Sequence, residues 1–361
     1  MKIVECHTDI HFSEFYKVPE LIYRGDPEYV AHIKQDIQGI LRPREANDRI
    51  KLFLLEKDKA FIGRVAAFVK IGQKRGGIGF FECTDDIAAS ELLFRAAEGF
   101  LQSLDCKEVE GPVNFGERDK YWGLLVKGFK NPSYQENYNP PYYQHLFEEN
   151  GYDIAFEQST QEITPQTFNE EVYQNAASRI KVEGFNLKHF VYSERKKFAN
   201  DFVEIYNAAW AIHEHFEPMT QQQILRLIEK MKPVMREDLL WFTYHGEKPV
   251  AFYFSIIELN QIIRHLNGNL NWLGKLKFLY YRRKEKIKRI KGVVFGVNPD
   301  YQGRGVTSAM VMKVFQIINK DPNLESSELA WIGDFNPRML KFLSRLGAYE
   351  TKRHATLRKT F

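Results

Sequence analysis

Three cysteines in 361 residues, Cys6, Cys83 and Cys106, leave this chain without a disulfide framework, and their wide separation matches no metal-ligand spacing. They read as reduced, mostly buried thiols of a cytosolic protein, and no metal site is expected. Neither sign of charge dominates. The 51 Lys and Arg stand against 47 Asp and Glu, and the resulting +4 is too mild to call for nucleic acid. No apolar run approaches the roughly 18–20 residues that a membrane-spanning helix requires. The opening MKIVECHTDI has no apolar core of a signal peptide, so a cytoplasmic location is expected. Low-complexity tracts are missing as well. What is plentiful is aromatic: 28 Phe and 18 Tyr within a composition that is 44% hydrophobic and 27% charged. Those proportions describe a globular chain with generous cores, and its length suits two domains.

The most informative stretch is VVFGVNPDYQGRGVTSAM at residues 293–310. Val293, Val294, Phe295 and Val297 form a β-prone run. Pro299, with no N–H to donate, ends the pairing. Residues 300–305 then make a turn that keeps Gly303 and Gly305. From about Val306 the apolar residues Val306, Met310, Val314 and Ile317 or Ile318 recur at helical spacing. A strand that feeds a glycine-bearing turn and opens a helix aims free backbone N–H groups at one spot, beside the positive end of the helix dipole. Glycine permits close approach and φ > 0, so the natural guest is a phosphate or pyrophosphate.

This stretch resembles motif A of the GNAT superfamily of acyl-CoA-dependent N-acyltransferases, Gln/Arg-x-x-Gly-x-Gly/Ala after a strand that often ends Val-x-Pro. Gln302, Gly305 and Thr307 take the marked positions, and Val297, Asn298 and Pro299 match the strand end. Thr307 departs from Gly/Ala but is small and carries a hydroxyl. The resemblance implies binding of acetyl-CoA or another acyl-CoA by Phe295, Val297, Gln302, Gly303, Arg304, Gly305, Val306, Thr307 and Asn336. It continues downstream with a strand at 329–332 and a helix opened by Asn336 and Pro337. That helix has Met339, Leu340, Leu343 and Leu346 on its apolar face, and Gly347 is its cap. In many members a tyrosine on this helix protonates the departing thiolate. Leu343 stands at that position here. Tyr301, Tyr349 and Glu214 are left as candidate proton-transfer residues.

The whole chain reads as an α/β protein of two tandem GNAT-like domains, each a twisted, mostly antiparallel sheet flanked by helices. Residues 1–165 form the first, 166–183 a polar helical connector, and 184–361 the second. The first half reads β, helical segment, β, β, β, α, β, α, β, but Asp85 and Asp86 stand where a phosphate cradle needs bare N–H groups. It is therefore expected to bind no CoA and to shape the acceptor or acyl-chain side, with Asn114, Arg118, Trp122 and Tyr143 as wall residues. Two histidines, His213 and His215, share no helical face and suggest no metal.

Residues 272–291 are the oddest. Leu273, Leu276, Tyr280, Ile287 and Ile290 make an apolar stripe beside many Lys and Arg. An ordinary surface helix whose stripe packs on its own domain is the expectation; contact with a membrane surface is the other reading. The function expected is transfer of an acyl group, acetyl foremost, from acyl-CoA to the primary amine of a small molecule or peptide. Two alternatives stand beside it. One is a catalytically silent acyl-CoA-binding protein or sensor. The other is a Fem-like aminoacyl transferase, which shares the paired halves.

Overall fold

The computed structural model describes residues 1–361 except 43–47, 71, 115–119 and 212–217, and leaves out the side chains of 176, 177, 179, 181, 182 and 330. The first half runs β1 (Lys2–Glu5), α1 (Asp9–Ile22), α2 (Lys34–Ile40), β2 (Asp48–Lys57), β3 (Ala60–Lys70), β4 (Arg75–Cys83), α3 (Ile87–Gln102), β5 (Glu108–Gly111), β6 (Leu124–Lys127), α4 (Tyr143–Glu149) and β7 (Asp153–Ile163). The connector holds α5 (Glu170–Val182). The second half repeats the order with β8 (Phe185–His189), α6 (Arg195–Trp210), α7 (Gln221–Met231), β9 (Leu240–His245) and β10 (Lys248–Ile257). After α8 (Asn260–Ile263) and α9 (Trp272–Lys284) come β11 (Arg289–Val297), α10 (Val306–Lys320), β12 (Ser326–Gly333), α11 (Pro337–Arg345) and β13 (Tyr349–Thr360).

The class is mixed α/β, as the strand and helix patterning and the GNAT resemblance lead one to expect. One 13-stranded sheet runs through both halves in the order β1-β2-β3-β4-β5-β13-β7-β12-β11-β10-β9-β8, with β6 joined to β13. Most neighbours are antiparallel; β4–β5 and β11–β12 are parallel. The C-terminal strand does not close its own half. It lies between β5 and β7 of the first half, with Leu357 opposite Gly111 on one side and Ala355 opposite Glu157 on the other. In return β7 pairs with β12, from Ser327–Ile163 to Gly333–Gln158. The halves thus exchange their last strands.

Helices cover both faces because their apolar residues recur at helical spacing. In α10, Val306, Met310, Val314 and Ile318 are buried; in α3, Leu93, Ala97 and Leu101 are. One core gathers around Phe94 and Phe147 and takes in Leu357 of the second half; another gathers around Phe242, Phe252 and Phe315 and takes in Ile163 of the first. Cys6, Cys83 and Cys106 are all buried and unbridged, and burial pushes the thiols of Cys6 and Cys83 up to about 12. Among the described residues no helix is long and apolar enough to cross a membrane.

Candidate functional site

The parallel pair β11–β12 holds only from Arg289 opposite Ser326 to Gly292 opposite Leu329. Beyond that the strands part. The cause is local: β11 slips register against β10 between Phe254 and Ser255, and β12 slips against β7 between Leu329 and Ile332. A bulge bends its strand, and two bulges at one level open a wedge in the sheet. The wedge is a cavity of about 320 Å³ with walls from Trp210, Tyr253, Phe295, Trp331, Phe335, Met339, Phe342 and Leu343. The edge of β11 that faces it, from Val293 to Val297, has no partner strand on that side, so the N–H groups of alternate residues there are left open toward the gap.

At the open end of the wedge stands the turn. Asn298 accepts from the Asp300 N–H at 3.1 Å and shapes the corner at Pro299–Tyr301. Gly303 and Gly305 both sit at positive φ, 74° and 85°. Gly305 is the residue before α10 and has no side chain to cap it, so the N–H groups of Val306, Thr307 and Ser308 stay open toward the space in front. That space is a second cavity of about 730 Å³, lined by Phe295, Val297, Gln302, Gly303, Gly305, Val306, Thr307 and Asn336, among others. Every residue of the expected phosphate loop faces it except Arg304, which lies over the Tyr301 ring at 5.3 Å and toward Glu183. Among the described residues its lining includes Arg345 and no Asp or Glu. Helix dipole, open N–H groups and the absence of carboxylates from this lining suit a polyanion. Trp210, Phe295, Thr307, Asn336, Met339 and Phe342 line both cavities, so the two adjoin.

A third cavity, of about 110 Å³, lies beneath α6 and α7. Its walls are wholly apolar, with Phe198, Phe202, Leu227, Met231 and Phe254 among them, and it shares Val293 and Val294 of β11 with the wedge as lining.

The other residues singled out in the sequence divide between this site and other parts of the fold. Asn336 caps α11 by accepting from the Met339 N–H at 3.2 Å while it lines both cavities. Leu343, 5% exposed, fills the slot where a tyrosine was looked for. Tyr301 contacts His245 at 3.4 Å, and Tyr349 donates to Glu162 at 3.1 Å; neither lines the wedge. Burial, and then the nearby Glu162 carboxylate, push the Tyr349 phenol up. Glu214, His213, His215 and Arg118 fall outside the described residues. Tyr143 is fixed in the first half's core: its hydroxyl donates to Glu82 at 2.8 Å and accepts from the Cys83 N–H at 2.9 Å. Asn114 donates to the Lys120 carbonyl, and Trp122 donates to Thr356 at 2.9 Å; both border a separate first-half groove. Sequence reasoning missed Trp210 and Tyr253, which belong to α6 and β10 and reach the wedge only through packing. Among the residues lining the wedge Tyr253 is the one phenol, and burial raises its pKa. Among the described residues no cluster of His, Cys, Asp and Glu could hold a metal ion.

The first half has the matching divergence after Gly77 opposite Glu110, but its wedge is filled. Val113 donates to the Ile78 carbonyl at 2.8 Å, and its own carbonyl presses so close to Gly79 that a Cβ there would overlap it. The N-terminus of α3 is closed by Asp86, which accepts from the Ala89 N–H at 3.1 Å.

No protein-family model matches the chain. It is 22% identical to Protein YghO of Escherichia coli strain K12 over 369 residues, 96% of this chain and 92% of that protein. It is 23% identical over 380 residues to the bacterial ceramide synthase of Caulobacter vibrioides, 99% of this chain and 97% of that protein. Its fold resembles a tandem GNAT protein from the clavulanic acid biosynthesis pathway, with a TM-score of 0.57 at 9% identity over 99% and 98% of the two chains. A GNAT-family acetyltransferase from Colwellia psychrerythraea gives 0.53 at 12% identity, over 99% of each chain. The chain therefore has the tandem GNAT architecture.

Proposed function

We propose that the chain is an acyl-CoA-dependent N-acyltransferase whose second half binds the thioester and carries an acyl chain longer than acetyl to an amine. The observation that carries this reading is the adjacency of three spaces that share lining residues: the polar cradle at 302–307, the wedge, and the apolar hole under α6 and α7. At roughly 30 Å³ per water, the wedge alone has room for about ten, far more than an acetyl group fills. The name of the Caulobacter relative points the same way, since a ceramide is the amide of a fatty acid with a long-chain amine.

In this reading the α10 N-terminus binds the pyrophosphate. Backbone N–H groups along 293–297 stabilise the negative oxygen that develops as a neutral amine attacks the thioester carbonyl. Trp210, Phe295 and Phe342 exclude water from the wedge. Leu343 supplies no proton, so the leaving thiolate takes one from solvent or from Tyr253, while the proton that the amine sheds as the amide forms passes to solvent. The same Leu343 favours a second reading, an acyl-CoA binder without turnover.

Calorimetry with Gly305→Glu tests the cradle: the substitution adds strain at positive φ and a like charge, and binding of acyl-CoA is expected to vanish. A chain-length series with Val294→Trp tests the path. Long-chain donors should lose kcat/KM while acetyl-CoA keeps its value. Unchanged affinity in the first variant sinks the site, equal losses for all chain lengths sink the acyl path, and binding without thiol release for a broad set of amines leaves the silent binder.

A further inference from the structure

Helix α9 has two apolar faces. Gly274, Phe278 and Tyr281 recur at i, i+4 and i+7 and face inward: Gly274 is buried, Phe278 and Tyr281 pack on the second half's core, and Tyr281 stacks on His265 with centroids 4.0 Å apart. On the opposite side Trp272, Leu273, Leu276, Leu279 and Tyr280 project from the surface, with Trp272 69% and Leu276 56% exposed. The stripe that the sequence led one to expect against the domain is therefore turned outward at Leu273, Leu276 and Tyr280, while Ile290 alone of that set is fully buried. At 100° per residue the five exposed side chains span one outward sector, with exposed Arg283 inside it at the C-terminal end of the helix. Lys275 and Arg282 border it on one side, Lys277 and Lys284 on the other.

We infer that this outward face of α9 docks on the surface of an anionic lipid bilayer. An apolar strip rimmed by cations on both sides matches an interface in which acyl chains lie beneath a negative headgroup layer, and Trp and Tyr favour that depth. The acid in this stretch, Glu285, follows the helix beside His265 at 3.1 Å, and one carboxylate leaves the five Lys and Arg of α9 in excess. The helix has 13 residues, about 20 Å at 1.5 Å per residue, and so lies along the surface. A second copy of the chain is a poor occupant, because two such faces would bring like charges together along both rims. Nucleic acid fits the rims but not the apolar centre. The inference goes beyond the N-acyltransferase reading and stands without it, since docking needs no substrate.

The test is co-sedimentation of the full chain with vesicles of phosphatidylcholine alone or with phosphatidylglycerol added. Binding should rise with phosphatidylglycerol and weaken with salt. A Trp272→Ser, Leu276→Ser, Leu279→Ser variant should lower partitioning by about tenfold or more. Lys275→Glu with Lys284→Glu should remove the dependence on anionic lipid. These side chains are exposed, and an unchanged melting curve confirms that the fold is kept. Binding by the serine variant equal to the parent's overturns the inference. So does failure of the parent to bind anionic vesicles, or dimerisation that the serine variant abolishes.

Discussion

Two residues decide how the site would handle the departing thiol. Leu343 closes the wedge with a hydrocarbon side chain, and Tyr253 brings the phenol that lines it. Burial raises the Tyr253 pKa, so the group stays protonated across the working range; an acid of this kind is lost only as pH climbs through its raised pKa, above the usual tyrosine value. If Tyr253 donates the proton, Tyr253→Phe should lower kcat by about a hundredfold with KM little changed, and the parent's rate should stay flat through alkaline pH up to that point. A loss confined to KM would mean that the phenol only helps bind the chain. Leu343→Tyr should then raise turnover of a slow parent. At this scale the sequence was informative where neighbours in the chain are neighbours in space. Gln302, Gly303, Gly305 and Thr307 sit on one turn and face one cavity. Tyr253 and Trp210 could not be read, since nothing in their local pattern distinguishes a wedge wall from an ordinary core position.

Between elements, the contrast of α3 with α10 shows how one topology yields one cradle. Both helices follow a parallel-pair strand, yet Asp86 closes the first with a carboxylate and Gly305 leaves the second open. The first wedge is also packed shut by Val113 against Gly79. One acyl-CoA per chain is the expected calorimetric stoichiometry, and two equivalent molecules would contradict it. Gly79→Ala must push the Val113 carbonyl away, which should cost about 1–3 kcal/mol of stability, read by thermal melting, with acyl-CoA affinity unchanged. The carboxylates and the helix order were legible from periodicity and capping. The filling of the wedge was not, because it depends on where the 112–114 backbone lies. Likewise, the apolar stripe of α9 was visible, but which of its two apolar faces meets the core was not.

For the molecule as a whole, the exchange of β7 and β13 is what makes two similar halves one body. A hydropathy pattern marks a strand as buried but not which neighbour buries it, so the long-range pairing of 349–360 with 153–163 left no trace in the sequence. We therefore propose that 1–165 and 184–361 are repeats of one topology and not independent folding units. Expressed apart, each should fail to give a folded monomer, and the full chain should melt in one transition. The seam is held by a buried ion cluster. Lys352 of β13, 2% exposed, reaches Glu136 at 2.6 Å and Glu328 of β12 at 2.8 Å, and Arg289 of β11 adds a contact to Glu328 at 3.2 Å. Lys352→Met leaves these carboxylates without their central cation and should cost about 3–5 kcal/mol. Burial pushes the Glu136 carboxyl up, but the Lys352 ammonium beside it, with Lys291 farther off, outweighs that and holds it well below the usual range. A carboxylate depressed in the folded state contributes stability above its unfolded pKa and loses it as pH falls through the folded value. The gap in melting temperature between the parent and Glu136→Gln should thus be full at pH 7 and hold down to about pH 5. Below the ordinary Glu value of about 4.3 it should narrow. A gap that stayed constant into strong acid would show that Glu136 acts through packing and hydrogen bonding to Thr160 and not through its charge.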